Sequence, residues 1–489
     1  MLLTLATPHT PVVLFDKQTH DFYTRYCNSC DLFLFCLLLQ IEAGSKVDTF
    51  ISVYFRQQAL LILENIDMLI VFLFRVGSYW SQHGSGSLQH VTLASIGGGL
   101  RDLQVRPGGS HRPKMKLTYI EIALFQVRGG LTNDSHAELN MQSNAVAGVW
   151  VSTDHRCIVW CKQLVMAINK ALFDMIGPVS KQITASPALR SNVLKHYFVQ
   201  GSAGLPYSED RHPPSVELDK NGYWSDILKR QFTVTKGNLT TDHYMMIKLA
   251  TDDPKQQHLT IDAVKMEADD WVFGCKDTVV HRNTRVCING ENLSPLSLAL
   301  PGKKRKALHL NLLKTRREKS YSHIVVAAPS GSKGTKVNID VYGLRERWIS
   351  YAVPKWVTFW REFPIVETTA SGAVFYNISL TGMENPWQAY SVKAMPLQCS
   401  PPGEGEKPHF GLARFFTPWA MDTTQTLLGQ GGNFTNSITA KLQTARPEGS
   451  NDTVASPQIH LFLDPACTYR VTVRAAFPEM MGQLVKNTS

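Results

Sequence analysis

The spacing of apolar and polar residues changes part-way along this chain. From about Asp242 onward the two kinds alternate. Val337, Ile339 and Val341 alternate with Asn338 and Asp340, and Tyr469, Val471 and Val473 alternate with Arg470, Thr472 and Arg474. A period of two turns one side of a segment toward a core and the other toward solvent, as in a half-buried strand. Comparable runs occupy 243–250, 257–264, 307–313, 322–329, 372–380, 436–443 and 457–463, with turn-forming stretches between them, including 401–408 and 429–436. Many short alternating strands of this kind predict one or two β-sandwiches.

The first part of the chain reads differently. Leu2–Ala6, Val91–Ile96 and Val149–Ser152 are short apolar runs that predict buried strands. Thr7-Pro8-His9 closes the first, and the glycine run Gly97–Gly99 closes the second. Phe15–Tyr26 predicts a helix. Ile158–Ile176 predicts a longer one, with Ile158, Cys161, Val165, Ile168, Leu172 and Met175 on one face and Gly177-Pro178 as its stop. Buried strands interleaved with helices predict an α/β domain. Cys27–Arg75 is strongly apolar, poor in turn signals and fits neither period, and Lys116–Asn133 carries no clear pattern. SAGLPYSEDRHPPS at 202–215 reads as a linker. The expected organisation is therefore an α/β domain over 1–185, a linker over 186–225, and β-rich domains over 226–345 and 346–489.

Composition adds the compartment. Of 489 residues, 44% are hydrophobic and 18% charged, the balance of a globular chain with sizeable cores rather than of a disordered one. The formal net charge of +10 permits anionic partners without naming one, and nothing points to nucleic acid. The basic run from Lys303 to Lys319 reads as a solvated hairpin surface, with contact to phosphate or an anionic membrane, or a nuclear signal in a cytosolic protein, as the alternatives.

There are 9 cysteines, so at least one thiol is unpaired. Cys275 and Cys287 bracket a loop that could join two strands and are expected to bridge, as are Cys399 and Cys467. Cys157 and Cys161, four apart on one predicted helix, are poorly placed for a bridge and read as buried thiols. Cys27-x-x-Cys30 lacks a second pair and matching histidines, so neither zinc nor another cofactor is expected.

N-x-[ST] sequons begin at Asn133, Asn238, Asn292, Asn377, Asn433, Asn451 and Asn487, and the five from Asn238 to Asn451 are the candidate glycosylation sites. Together with pairable cysteines they favour a lumenal or secreted setting. Met1–His9 is too short for a signal peptide, Leu32–Ile41 is too short to span a bilayer, and Ala59–Phe74 contains Glu64 and Asp67. The expectation is an incomplete product.

Candidate chemistry gathers at two predicted strand ends. Asp102 follows the glycine turn, and His155 precedes the long helix. A carboxylate there orients an imidazole, and a loop histidine acts as general base. Asp102 could equally cap a turn, His155 could belong to the helix start, and Asp154 is a competing acid better suited to the helix N-terminus. Acid followed by histidine is the second half of the Ser…Asp…His order of α/β-hydrolases. No G-x-S-x-G occurs in the 489 residues.

These residues resemble the GPI inositol-deacylase family. The resemblance lies in LATPH (5–9), FDKQTHDFYTRY (15–26), SYW (78–80), LASIGGGLRDLQVRPG (93–108) and VWVSTDHRCIVWCKQL (149–164). It continues in DDWVFGC (269–275), SHIVVAAPSGSKGTK (322–336) and CTYRVTVRAAFPEMMGQLV (467–485). It implies a membrane-bound serine esterase of the endoplasmic reticulum that removes the inositol-linked acyl chain of GPI anchors on proteins and so promotes their export. The carried-over residues are Asp102 as acid and His155 as histidine. The fold implied is the C-terminal half of an α/β-hydrolase domain followed by lumenal β-sandwiches. The partners implied are GPI-anchored proteins and the endoplasmic reticulum membrane. Against the family pattern, 27–75 and 116–133 read as insertions, and the nucleophile region is absent. The chain alone is therefore expected to be inactive, the alternative being a non-catalytic lumenal glycoprotein or truncated isoform that binds GPI-linked cargo.

Overall fold

The computed structural model describes residues 2–5, 92–99, 101, 139–154, 157–200, 206–208, 215–238, 240–249, 253–302, 304–331, 333–400, 410–419, 422–429, 436–442, 446 and 455–488. The expectations for Phe15–Tyr26, Thr7-Pro8-His9, Cys27-x-x-Cys30, Lys303 and both insertion-like segments fall outside these residues.

Three parallel strands form the first sheet: β1 (Leu2–Leu5), β2 (Leu93–Gly97) and β3 (Leu139–Gln142), in the order β1-β2-β3. Leu2 pairs with Leu93, and Ala94 pairs with Leu139. Parallel strands are buried on both faces, and Ala94 and Ile96 of β2 with Leu139 and Met141 of β3 are buried in the core. The third strand is a correction. Val149–Ser152 was expected there, but Val149 N and Trp150 N both turn back to Val146 O at 3.1 and 3.2 Å, and Trp150 takes φ +48°. A turn of that kind cannot join a ladder, and Leu139–Gln142 takes the place instead.

The expected long helix is split. Cys157–Val159 forms one tight turn, Cys161 has an extended ψ of 105°, and α1 runs Lys162–Asp174. The break shifts the inward stripe to Leu164, Ile168, Ala171 and Met175, while Val165 and Leu172 are only half-buried. Cys157 and Cys161 are free thiols and half-buried, not buried as expected. A second helix, α2 (Pro187–Lys195), lies in the segment expected as a linker. Ser186 caps it by accepting from Leu189 N at 3.3 Å, with Pro187 at the first helical position. Its Val193 and Leu194, with Phe198 just beyond, are buried against Ile96, Leu139 and Leu164. Arg190, itself buried, donates to Thr92 Oγ1 at 3.0 Å and Thr184 O at 2.6 Å, fastening α2 to the start of β2.

Two β-sandwiches follow. One sheet of the first has the order Ser215–Glu217, Asn289–Asn292, Val272–Cys275, His323–Ala328, His243–Lys248, Tyr223–Ile227, and the other has Leu298–Leu300, Arg305–Asn311, His258–Val264, Lys333–Tyr342, Gln231–Asn238. Met245, Ile247, Ile261, Trp271, Ile324 and Ile339 fill the space between them. Strands Ser215–Glu217 and Tyr223–Ile227 belong to this sandwich, so the expected linker over 186–225 contains folded elements at both ends. In the second sandwich, Trp348–Ala352, Phe375–Thr381, Gln458–Phe462, Phe410–Thr417 and Asp422–Gly429 face Phe363–Val366, Cys467–Ala475, Ala389–Cys399 and Ser437–Lys441. Ile378, Tyr390, Val392, Phe415, Ile459 and Val471 are among its core residues. The chain is thus an α/β region followed by β-sandwich structure.

A disulfide joins Cys275 to Cys287 with S–S 2.01 Å, and another joins Cys399 to Cys467 with S–S 1.99 Å. The basic run is not a solvated hairpin. Arg305 donates to both oxygens of buried Asp262 at 2.8 and 3.0 Å, Lys306 donates to Ala268 O at 2.7 Å, exposed Lys304 pairs with Glu267 at 3.0 Å, and α3 (Leu312–Lys319) carries Lys314, Arg316, Arg317 and Lys319. Asn377 is also corrected as a glycan acceptor. It is 1% exposed in its strand and donates to Gln458 Oε1 at 3.3 Å, which leaves no room for a sugar. Asn292 is half-buried and donates to Asp270 Oδ1 at 2.8 Å. Asn433 and Asn451 lie outside the described residues, and Asn238 ends a strand of the first sandwich.

The sandwiches meet through Leu300, Ala307 and Tyr342 on one side and Phe375, Leu412 and Phe462 on the other. His309 packs 4.2 Å from the Phe375 ring and lies 2.8 Å from Thr260 Oγ1. Packing against the aromatic seam lowers the His309 imidazole below its ordinary value, although the residue stays exposed on its outer side. His460 is lowered well below its ordinary value, first by burial and then by neighbouring Arg414 and His309.

Candidate active site

The carboxyl ends of parallel strands are where open α/β sheets place reactive groups. Here β2 ends at Gly97 and continues as Gly98 and Gly99, with Gly99 at φ +79°. A Cβ at Gly99 would meet Ser152 Oγ at 2.6 Å, and one at Gly97 would meet Gln142 Oε1 at 2.2 Å. Both the backbone conformation and the close approach therefore require glycine at position 99.

Gly98 O is the hub of this turn. It accepts from Thr153 N at 2.8 Å and lies 3.0 Å from Ser143 Oγ and 3.1 Å from Ser152 Oγ. Ser143 N donates to Gly97 O at 2.8 Å, and Ser143 Oγ also reaches Val151 O at 2.8 Å. Arg101 N donates to Ser152 Oγ at 3.3 Å. Three chain segments (the turn after β2, the turn after β3 and the loop before α1) are thus stitched together by two serine hydroxyls. The Asn144 side chain continues the stitching outward, with Nδ2 donating to Asp422 Oδ1 of the second sandwich at 3.1 Å.

Asp102 and His155 both lie outside the described residues. Their neighbours do not. Arg101, one residue before Asp102, bonds Ser152, three residues before His155. Asp154 accepts from Cys157 N at 2.7 Å and so occupies the start of the short turn before α1, in keeping with a capping acid. The Asp154 carboxylate, followed by burial, raises the Cys157 thiol above its ordinary value and makes it a poor nucleophile. Sequence reasoning missed Ser143, Asn144 and Ser152. The available signal was the polar triplet Gln142-Ser143-Asn144 directly after an apolar strand.

Residues 45–175 match the family described as PGAP1-like alpha/beta domain, and residues 345–489 match the GPI inositol-deacylase beta-sandwich domain. Proteins named GPI inositol-deacylase are similar over most of the chain. That of Mus musculus is 28% identical over 425 residues, covering 85% of this chain and 41% of the relative. That of Xenopus laevis is 27% identical over 418 residues with the same coverage, and that of Drosophila melanogaster is 26% identical over 416 residues, covering 83% and 39%. The chain spans about two fifths of the length of these relatives.

Proposed function

The chain belongs to the GPI inositol-deacylase family, and on that premise we propose that it carries the acid and histidine of a serine esterase acting on the inositol-linked acyl ester of protein-bound GPI anchors. In this reading 1–185 is the C-terminal half of an α/β-hydrolase domain. His155 takes the proton of a serine hydroxyl as that oxygen attacks the acyl carbonyl, then gives it to the departing inositol oxygen. Water, deprotonated by the same imidazole, releases the fatty acid and restores the serine. Asp102 holds the imidazole in the required tautomer and stabilises its charged form. The serine would come from a G-x-S-x-G segment, which these 489 residues do not contain.

The observation that supports this reading is the hydrogen bond from Arg101 N to Ser152 Oγ, with Thr153 N on Gly98 O. It brings the starts of the two candidate loops together at the carboxyl end of β2. The disulfides fit work in the lumen of the endoplasmic reticulum, where GPI-anchored proteins are the substrates and the membrane holds them.

The test is mass spectrometry of GPI anchors in cells that lack their own deacylase. A polypeptide joining this sequence to a G-x-S-x-G segment is expected to remove the inositol acyl chain, and the 489 residues alone are not. Acyl chains that stay in place with the joined polypeptide, or that His155→Ala still removes at the full rate, would refute the assignment.

A further inference from the structure

The second sandwich carries an aromatic tip. Trp356–Thr358 is a single tight turn, held by Thr358 N on Lys355 O at 3.0 Å and followed by Arg361 N on Thr358 O at 3.0 Å. The turn exposes Trp356, Val357, Phe359 and Trp360, and Trp360 is 73% exposed. Phe359 stacks on Phe477 with ring centroids 4.7 Å apart, at the start of the C-terminal helix α4 (Phe477–Thr488). Met481 and Leu484, at helical spacing from Phe477, extend the exposed apolar stripe.

Lys355 and Arg361 bracket the turn and are exposed. The nearby Glu362 is exposed and accepts from Thr472 Oγ1 at 3.3 Å, and Glu479 on α4 is half-buried, so the two cations outnumber the one exposed carboxylate at the turn. A cavity of about 380 Å³ opens beside the turn, lined by Val353, Pro354, Trp356 and Trp387 among others. Its two buried polar residues, Gln388 and Tyr390, are occupied within the fold. Gln388 Oε1 accepts from Glu384 N and Asn385 N at 2.7 and 2.8 Å, Gln388 Nε2 donates to Gly382 O at 2.9 Å, and the Tyr390 hydroxyl donates to Pro354 O at 3.2 Å. Such a wall suits hydrocarbon rather than a sugar or a polar peptide.

We infer that Trp356, Val357, Phe359 and Trp360, with Lys355 and Arg361 and the outer stripe of α4, form a docking surface for the interface of a bilayer containing anionic lipid. Tryptophan rings settle at the headgroup level, where the indole is buried and its N–H stays wet, and flanking cations meet lipid phosphates. Each such cation is worth roughly fivefold in partition to an anionic surface. The inference deepens the proposed esterase reading by giving the protein a seat on the membrane that holds its substrate, and it uses no residue of the catalytic loops.

The experiment is flotation of the full 489-residue chain with vesicles of phosphatidylcholine plus phosphatidylserine, and with phosphatidylcholine alone, neither containing GPI. Binding is expected to the mixed vesicles, weaker binding to the neutral ones, and a decline with salt. Trp356→Ser combined with Trp360→Ser lowers binding to the mixed vesicles at least about tenfold. Phe173→Ser, which removes an equally exposed ring on α1, leaves it unchanged. Lys355→Glu combined with Arg361→Glu changes two exposed side chains and removes the preference for phosphatidylserine, so the inference stays testable if the tryptophan variant folds poorly. Equal binding by parent and both double variants overturns the inference. So does a parent that ignores vesicles but self-associates through these tryptophans, since the surface would then join two copies. Deacylation is not measured here, so a negative result leaves the esterase reading standing, and a failed deacylation assay leaves this one.

Discussion

Gly98 O, Ser143 and Ser152 explain at single-residue scale why this loop cluster holds its shape. Thr153 N and two serine hydroxyls gather around one carbonyl, and Gly99 is admitted only because it lacks a Cβ. Gly99→Ala is expected to cost about 1–3 kcal/mol of stability, from the left-handed backbone and the clash with Ser152. A urea midpoint equal to that of the parent would argue against it. Asp262 offers a sharper case, because it accepts from Arg305 twice and from Asn338 Nδ2 at 3.3 Å, in a setting where both charged side chains are almost fully buried. Asp262→Ala strands a buried guanidinium and is expected to cost about 3–5 kcal/mol, whereas replacing both partners with apolar residues recovers most of that. The two histidines between the sandwiches set a pH dependence. His309 is lowered below its ordinary 6.5 in the fold, an effect softened by the solvent that reaches this exposed residue, so the unfolded chain takes up a proton first as pH falls. Stability is then complete above about pH 6.5 and declines as pH drops from there toward the lowered folded value. His460, lowered by burial, adds a loss of the same sign. Melting temperatures across that window should fall with acid, and His309→Gln should flatten the profile.

Among the elements, pattern reading succeeded wherever one rule governed the backbone. The alternating runs at 243–250, 257–264, 322–329 and 457–463 are the strands His243–Lys248, His258–Val264, His323–Ala328 and Gln458–Phe462. It failed where two rules competed. Val149–Ser152 is apolar enough for a strand, but Gly148 at φ +82° and Trp150 at φ +48° bend it out of the sheet. Ile158–Ile176 has helical spacing throughout, yet an extended Cys161 divides it. Arg305 and Lys306 read as surface cations because a sequence does not display the aspartates that meet them across the sheet and the adjoining loop. The disulfides separate by loop length. Cys275–Cys287 closes 12 residues and Cys399–Cys467 closes 68. Chain-entropy reasoning then makes removal of the second costlier by about 1.5 kcal/mol. Serine pairs at each site, compared by denaturant unfolding, check the order, and equal or reversed losses would show that strain or residual structure dominates.

For the whole molecule, the sequence displayed the change from α/β to β-sandwich structure but not how the parts join. The segment expected as a linker supplies α2 to one core and two strands to another, since its buried residues are too sparse to show a period. Asn144 reaching Asp422 across 278 positions has no local signature at all. The proposed relay residues Asp102 and His155 stand out in the sequence as polar residues after apolar runs, and the structure fastens the backbone of Arg101, just before Asp102, to Ser152, three residues before His155. Whether these positions act together is settled most directly by a double-mutant cycle on GPI deacylation, in a polypeptide that joins this sequence to a G-x-S-x-G segment. Asp102→Asn and His155→Ala are each expected to lower the rate by about 10³–10⁴-fold, and the pair together no further than the worse single change. Losses that multiply in the double variant, or an Asp102→Asn enzyme as fast as the parent, would contradict a shared relay.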